Sequence, residues 1–145
     1  MRIVVQKVNN ASCVVNKKTV SKIDRGLMIL VGFTEGDNES IINYMVNKVT
    51  NLRVFEDEND IMNLSVKDVK GSILSISQFT LYGDASKGNR PSYVNALNGE
   101  KAKPLYELFN KKLNEIVPTY DGVFGDDMKI QLENDGPTTI LLEKE

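Results

Sequence analysis

Hydrophobic and polar positions alternate along most of this chain, the mark of half-buried strands, and change to a helical spacing in two stretches. Residues 2–9 alternate as a first strand, within Met1-Arg2-Ile3-Val4-Val5-Gln6-Lys7 and its continuation. Ser12 to Asn16 and Thr19 to Ile23 flank Lys17-Lys18 as the arms of a hairpin, and Asp24-Arg25-Gly26 is a turn. Leu27 to Thr34 is a continuous apolar run suited to a central strand. A helix follows, opened by Asp37 or Asn38 as N-cap, with Ile41, Ile42, Met45, Val46, Val49 and Leu52 as one apolar stripe.

The second half repeats the theme. Ser72-Ile73-Leu74-Ser75-Ile76 reads as a buried strand running into Ser77-Gln78-Phe79-Thr80-Leu81. Strict alternation puts Leu74, Ile76, Gln78, Thr80 and Tyr82 on one face, apolar at first and polar at its end. Buried polar groups need partners, so Gln78 and Thr80 are either satisfied within the protein or aimed at a ligand. A polar, basic loop from Gly83 to Tyr93 comes next, carrying Lys87 and Arg90. A second helix spans about Glu100 to Ile116, its buried side marked by Leu105, Leu108, Phe109, Lys112, Leu113 and Ile116. Pro104 belongs in a first turn, which predicts that the regular helix starts near Lys103. Met128, Ile130 and Leu132 alternate as a strand, Thr138 to Glu143 makes the last one, and Asn134-Asp135-Gly136-Pro137 lies between them.

No repeat, low-complexity tract or linker divides residues 1–145, which predicts a single domain. Strands outnumber helices and the connections are short. The expected class is α+β: a mainly antiparallel, double-layered sheet with two helices packed on it, a three-layer ββα sandwich.

Composition narrows the chemistry. The chain has no histidine and one cysteine, so Ser-His-Asp and Cys-His nucleophile systems, His-based zinc sites and thiolate clusters are excluded. An enzyme built this way works through carboxylates, hydroxyls, lysines, backbone N–H groups or groups on its substrate. Cys13, among alternating strand residues, reads as a small buried hydrophobe. A lone cysteine, no apolar run of membrane-spanning length and an N-terminus broken early by charge point to a cytoplasmic protein. A net charge of −2 argues against a broad nucleic-acid surface but leaves room for a short nucleic-acid end met by a few cations. The acidic turn Asp57-Glu58-Asn59-Asp60 lacks the glycine and terminal glutamate of a calcium loop, and no phosphate-cradling glycine motif occurs.

Ser77-Gln78-Phe79-Thr80-Leu81 together with Asn134-Asp135-Gly136-Pro137-Thr138-Thr139 resembles the D-aminoacyl-tRNA deacylase family. Leu52-Arg53-Val54-Phe55, Lys87-Gly88-Asn89-Arg90-Pro91-Ser92-Tyr93 and Gly122-Val123-Phe124-Gly125 are further matches, in the family's order along nearly the whole chain. The resemblance implies a homodimeric editing hydrolase of the cytoplasm that uses no metal or cofactor. Its partner is the acceptor end of a tRNA carrying a D-amino acid or mischarged glycine, with no membrane or DNA partner. It releases the amino acid and rejects L-aminoacyl-tRNA. Carried over, Ser77, Gln78, Phe79 and Thr80 line the catalytic pocket. Gly136 and Pro137, joined by a cis bond, are a chirality filter inserted into the other subunit's pocket, supported by Lys7 and Asn134. From the sequence alone, a Gly-Pro pair between strands is an ordinary turn. Lys7 departs from the arginine usual in the family, which implies a looser hold on that loop, and Thr138 replaces the usual valine.

For the ester cleavage, Thr80 as nucleophile lacks a histidine base, whereas the ribose ester carries its own neighbouring hydroxyl. The second reading is therefore substrate-assisted hydrolysis, with oxyanion stabilisation by N–H groups of the Phe79-Thr80 segment. Lys87, Arg90, Lys101 and Lys103 are candidate phosphate contacts or merely solvated cations. Phe124 either packs on the terminal adenine or anchors the core. Other classes stay open: a non-catalytic homodimeric module that binds a small ligand, or a hydrolase of other D-amino-acid esters.

Overall fold

One long strand holds the sheet together. β1 (Arg2–Val15) gives one edge to β8 (Lys129–Glu143). It divides the other edge between β3 (Gly26–Gly32), opposite Arg2 to Val8, and β2 (Lys18–Ile23), opposite Ala11 to Val15. All three pairings are antiparallel. Where the pattern predicts two strands, at 2–9 and 12–16, the chain makes one. The polar interruption at Asn9 and Asn10 is absorbed as an exposed bulge with shifted register. The bulge also changes the phase of burial. Ile3 and Val5 join a cluster beneath the helices, while Val8, Ala11, Cys13 and Val15 join a second one inside the curl of the sheet. The hairpin turns at Asn16 and Lys17, both at positive φ (50° and 66°), one position earlier than expected.

Beyond β3 the sheet continues to β6 (Ser72–Ser77) and β7 (Thr119–Asp121), and these pairings are parallel. Short connections favour antiparallel neighbours, but each of these links contains a helix. α1 (Glu39–Asn51) crosses from β3 to β6 and α2 (Gly99–Asn114) from β6 to β7, which returns the chain in the same direction. β2 comes round against β6 and β7, and the Ser21 hydroxyl bonds the Asp121 carbonyl. The result is a small α+β fold with a mostly antiparallel, near-barrel sheet. β4 (Phe55–Glu56) and β5 (Met62–Leu64) form a separate two-stranded ribbon. The structure, a computed structural model, describes all 145 residues.

The helices follow their caps and stripes. Asn38 caps α1, accepting from the Ile41 N–H at 3.1 Å. Asp37, the alternative cap, is buried and accepts from the Thr34 N–H (2.8 Å) and the Met1 α-ammonium (2.9 Å). Ile42, Met45, Val46 and Val49 point inward as their spacing predicts. α2 starts at Gly99 under an Asn98 cap rather than near Lys103, and runs through Pro104. Pro104 is exposed and removes one main-chain donor, while Ala102, Tyr106, Phe109 and Leu113 are buried on the other side. Burial of that stripe outweighs the lost bond. Ile116, expected on the buried side, lies beyond the helix and is exposed.

β8 is likewise one strand where two were predicted. Val8 pairs with Asn134 and Gln6 with Thr139, so Asp135, Gly136, Pro137 and Thr138 stand opposite Lys7 alone and leave the ladder.

Candidate functional site

Ser77 is the last residue of β6, and Phe79–Tyr82 winds into a turn of 3₁₀ helix. The predicted face therefore holds through Ile76 and then fails, because the chain stops being extended at Gln78. The turn gives Gln78 and Thr80 to each other. The Gln78 side-chain amide donates to the Thr80 hydroxyl at 2.6 Å. Around them the backbone is pinned: Gln78 N–H to the Val31 carbonyl (2.7 Å) and Gly83 N–H to the Thr80 carbonyl (2.9 Å). A Cβ on Gly32 would lie 2.9 Å from the Gln78 carbonyl, so the end of β3 must be glycine for the turn to sit this close. Phe79 and Thr80 open the turn, where backbone N–H groups have no partner within the helix.

Arg2 clamps the same turn from behind. Its Nη1 donates to the Leu81 carbonyl at 2.9 Å, its Nε to Glu143 at 2.8 Å, and its guanidinium lies 4.5 Å from the centroid of the Tyr82 ring. Burial, and then the nearby Asp37 carboxylate, pushes the Tyr82 phenol above its ordinary pKa. Nothing in the alternation pattern marks Arg2, which the sequence reading missed.

A cavity of about 580 Å³ opens at this strand end. Ser77, Gln78 and Phe79 form one wall, and Val31, Gly32 and Phe33 extend it. Tyr93, Ala96 and Leu97 come from the long loop, Gly99 and Ala102 from the start of α2, and Phe124 to Met128 with Ile76 and Ile130 complete the lining. Phe124 serves both roles raised for it. It packs against Tyr106 (centroids 5.7 Å apart) and lines the cavity. Phe79 and Tyr93 meet edge to face at 5.2 Å and are half exposed at the mouth. The only charged residues in the lining are Asp126 and Asp127. Thr80 touches the cavity wall through Gln78 but is not part of the lining.

Several predicted residues lie elsewhere. Lys87 and Arg90 are exposed on the 83–93 loop, outside the cavity lining. Lys101 and Lys103 have carboxylate neighbours, Glu35 at 3.7 Å and Glu107 at 3.4 Å. Cys13 is buried, and burial followed by the Asp121 charge raises its thiol pKa, in keeping with a packed hydrophobe.

Gly136 and Pro137 are joined by a cis bond, are exposed, and line no part of the cavity. Gly136 has φ of 118°, and a Cβ there would lie 2.6 Å from the Thr138 hydroxyl oxygen. The loop is held at its base. The Asn134 amide donates to the Lys7 carbonyl (3.0 Å) and the Thr138 carbonyl (2.9 Å). The Lys7 side chain is only 2% exposed, and its ammonium donates to both Glu56 oxygens (2.9 and 3.1 Å). That hydrogen bond, followed by one from the backbone, keeps the Glu56 carboxyl below its ordinary pKa. Asp135 lies 3.7 Å from the same ammonium. The cavity opens level with Arg2 and Gly32, while the loop stands level with Lys7. Five residue steps along β1 separate the two, about 17 Å of strand.

Comparison with known proteins agrees with this architecture. The model of the D-Tyr-tRNA(Tyr) deacylase family matches residues 4–143. A protein of Limosilactobacillus reuteri named D-aminoacyl-tRNA deacylase is 54% identical over 145 residues, covering 99% of this chain and 100% of the relative. One of the same name from Thermosipho melanesiensis is 51% identical, covering 99% and 97%. A solved structure described as c-Myc DNA Unwinding Element Binding Protein superposes with a TM-score of 0.95 at 40% identity, covering 100% of this chain and 99% of that one. Another, described as a probable eukaryotic D-amino acid tRNA deacylase, shares the fold with a TM-score of 0.83 at 17% identity, covering 97% of each.

Proposed function

The chain belongs to the D-Tyr-tRNA(Tyr) deacylase family, and from that premise we propose that the cavity at the end of β6 is the place where it cleaves aminoacyl-tRNA. The protein is a D-aminoacyl-tRNA deacylase, a hydrolase whose partner is aminoacyl-tRNA. Residues 1–145 act as one catalytic domain in the cytoplasm. The substrates are D-aminoacyl-tRNA and mischarged glycyl-tRNA, and L-aminoacyl-tRNA is rejected.

The observation that carries this reading is the lining of the cavity. Ser77 and Gln78, the latter bonded to Thr80, put polar groups into a cavity otherwise lined mainly by apolar residues such as Phe79 and Phe124, in a chain that has no histidine. Water adds to the ester carbonyl, the N–H groups of Phe79 and Thr80 hold the oxyanion, and the bond to the ribose oxygen breaks. The neighbouring ribose hydroxyl relays the proton to the leaving oxygen. Phe124 and the Phe79–Tyr93 pair offer apolar faces to the terminal adenosine. Lys87 and Arg90, exposed beyond the mouth, meet phosphates farther along the acceptor strand.

Gly136 and Pro137 act on a second copy of the chain. Two features support this: the loop is absent from its own chain's cavity, and Phe79, Tyr93 and Val94 leave apolar surface exposed beside that cavity. In a homodimer each loop completes the other subunit's pocket, and the sheets and helices stack as a three-layer sandwich. The loop excludes an L side chain by collision, while glycine, having none, passes.

Purified protein should release tyrosine rapidly from D-tyrosyl-tRNA and spare L-tyrosyl-tRNA. Protein that protects or ignores the D-ester would overturn the catalytic reading. Sedimentation as a monomer at assay concentration would overturn the shared site.

A further inference from the structure

We propose that Glu56 is a positioning residue for stereochemical selection, acting through the Lys7 ammonium on the Asp135–Thr138 loop. This rests on the reading of that loop as the chirality filter.

Lys7 continues the inward phase of Ile3 and Val5, so its ammonium is carried out of water by a strand that cannot release it. A cation in that position needs close and complete partners. Two of its contacts go to the Glu56 carboxylate, at 2.9 and 3.1 Å. The remaining charge within reach is Asp135, at 3.7 Å, beyond hydrogen-bonding distance. The Lys7 backbone carbonyl holds Asn134, whose amide also ties the Thr138 carbonyl. One residue thus governs both ends of the loop, its backbone by directional bonds and its side chain by charge. Asp135 directly precedes Gly136, so the position of the Lys7 ammonium bears on the residue that starts the filter.

Glu56 decides where that ammonium sits. It is delivered by β4, a strand that pairs only with β5 and has no ladder to the main sheet. Its neighbour Phe55 is fully buried in the core beneath the helices, which fixes the ribbon in place. With the Glu56 charge removed, Asp135 is the only carboxylate left within ion-pair range of the buried ammonium. The ammonium then closes on Asp135 and draws the loop toward the body of the chain. The wall formed by Ser77 to Phe79 is untouched by this movement.

The test is the ratio of hydrolysis rates on D- and L-tyrosyl-tRNA, measured for wild type, Glu56→Gln, Lys7→Met, the double variant and Gly136→Ala. A ratio taken on one sample is insensitive to the fraction folded, so a merely structural role leaves it unchanged. Glu56→Gln should lower the ratio about tenfold, mostly through faster L-cleavage, with the D rate within about twofold of wild type. In the Lys7→Met background the same substitution should have no further effect. An unchanged ratio in Glu56→Gln, or an equal fall with and without Lys7, overturns the proposal. If Gly136→Ala lowers the ratio and Glu56→Gln does not, Glu56 alone is misassigned. If neither lowers it, the loop is not the filter. Should Glu56→Gln fail to fold, Glu56→Asp carries the test: the shorter acid should lower the ratio about threefold, and no change refutes the idea.

Discussion

The turn at the end of β6 and the loop in the middle of β8 both break an extended run, but they are held in different ways. At Gln78 the chain winds against its own body, where bonds that Gln78 donates to Val31 and Thr80 and one that Arg2 donates to Leu81 pin it beside a cavity it helps to line. At Asp135 the chain turns out. Gly136 and Pro137 are exposed, lie outside the lining of the cavity at the end of β6, and are held only from behind, by Asn134 and Lys7. The first is a wall complete within one chain. The second is a projection shaped for a surface outside it. Rate and selectivity should therefore be separable by mutation, because within one chain the groups that serve them share no contact.

The largest test alters the substrate. A D-tyrosyl-tRNA ending in a 2′-deoxynucleotide should be cleaved more slowly by about two to three orders of magnitude in single-turnover assays, and normal cleavage would return Thr80 to the nucleophile's role. Gly136→Ala should reduce the D-to-L ratio by roughly 50-fold, since the new Cβ meets the Thr138 hydroxyl at 2.6 Å and the backbone must leave its positive φ. If that variant instead slows the D-ester with the ratio intact, the separation of roles collapses. Arg2→Met should show the opposite pattern. Losing the charged bond to the Leu81 carbonyl should cut kcat by about tenfold, with KM and the ratio unchanged. Smallest is Thr80→Val, which removes one neutral hydrogen-bond partner from Gln78 and should slow turnover about threefold. Complete loss in a folded Thr80→Val would sink the substrate-assisted mechanism.

Period-2 alternation made β1 and β8 legible, each as two pieces, continuous apolar runs marked β3 and β6, and the helical stripe of α1 fell where its spacing placed it. The failures have particular causes. Gln78, Thr80 and Tyr82 continue an alternating pattern, so five residues could not reveal that the chain bends at Gln78. The polar pair Asn9-Asn10 looks like a loop whether the chain stops there or bulges. Pro104 obeys a local rule that the burial of Tyr106 and Phe109 overrode. Motifs brought Ser77 to Thr80, Gly136 and Pro137 into view, with Lys7 and Asn134 as supports of the loop, but not Arg2 or Glu56. Lys7 did carry a signal, because it falls in phase with Ile3 and Val5 and so needs a buried counter-charge. Which of 20 acidic residues supplies it was not legible, since Glu56 comes from a ribbon far along the chain. Arg2 gave no signal, as its partners Leu81 and Glu143 are joined to it only by the closure of the sheet.

β1 carries Arg2 under the turn and Lys7 under the loop. The stretch between them therefore acts as a ruler, and it sets where this lineage can tolerate changes in length. One residue gained or lost between Arg2 and Lys7 would turn every side chain beyond it to the other face and break both supports at once. A residue added at the Asn16-Lys17 turn would only lengthen an exposed hairpin. Relatives that diverge in length should do so at such turns and at the Gly83–Tyr93 loop, keeping the first seven residues free of insertions even where their identities drift.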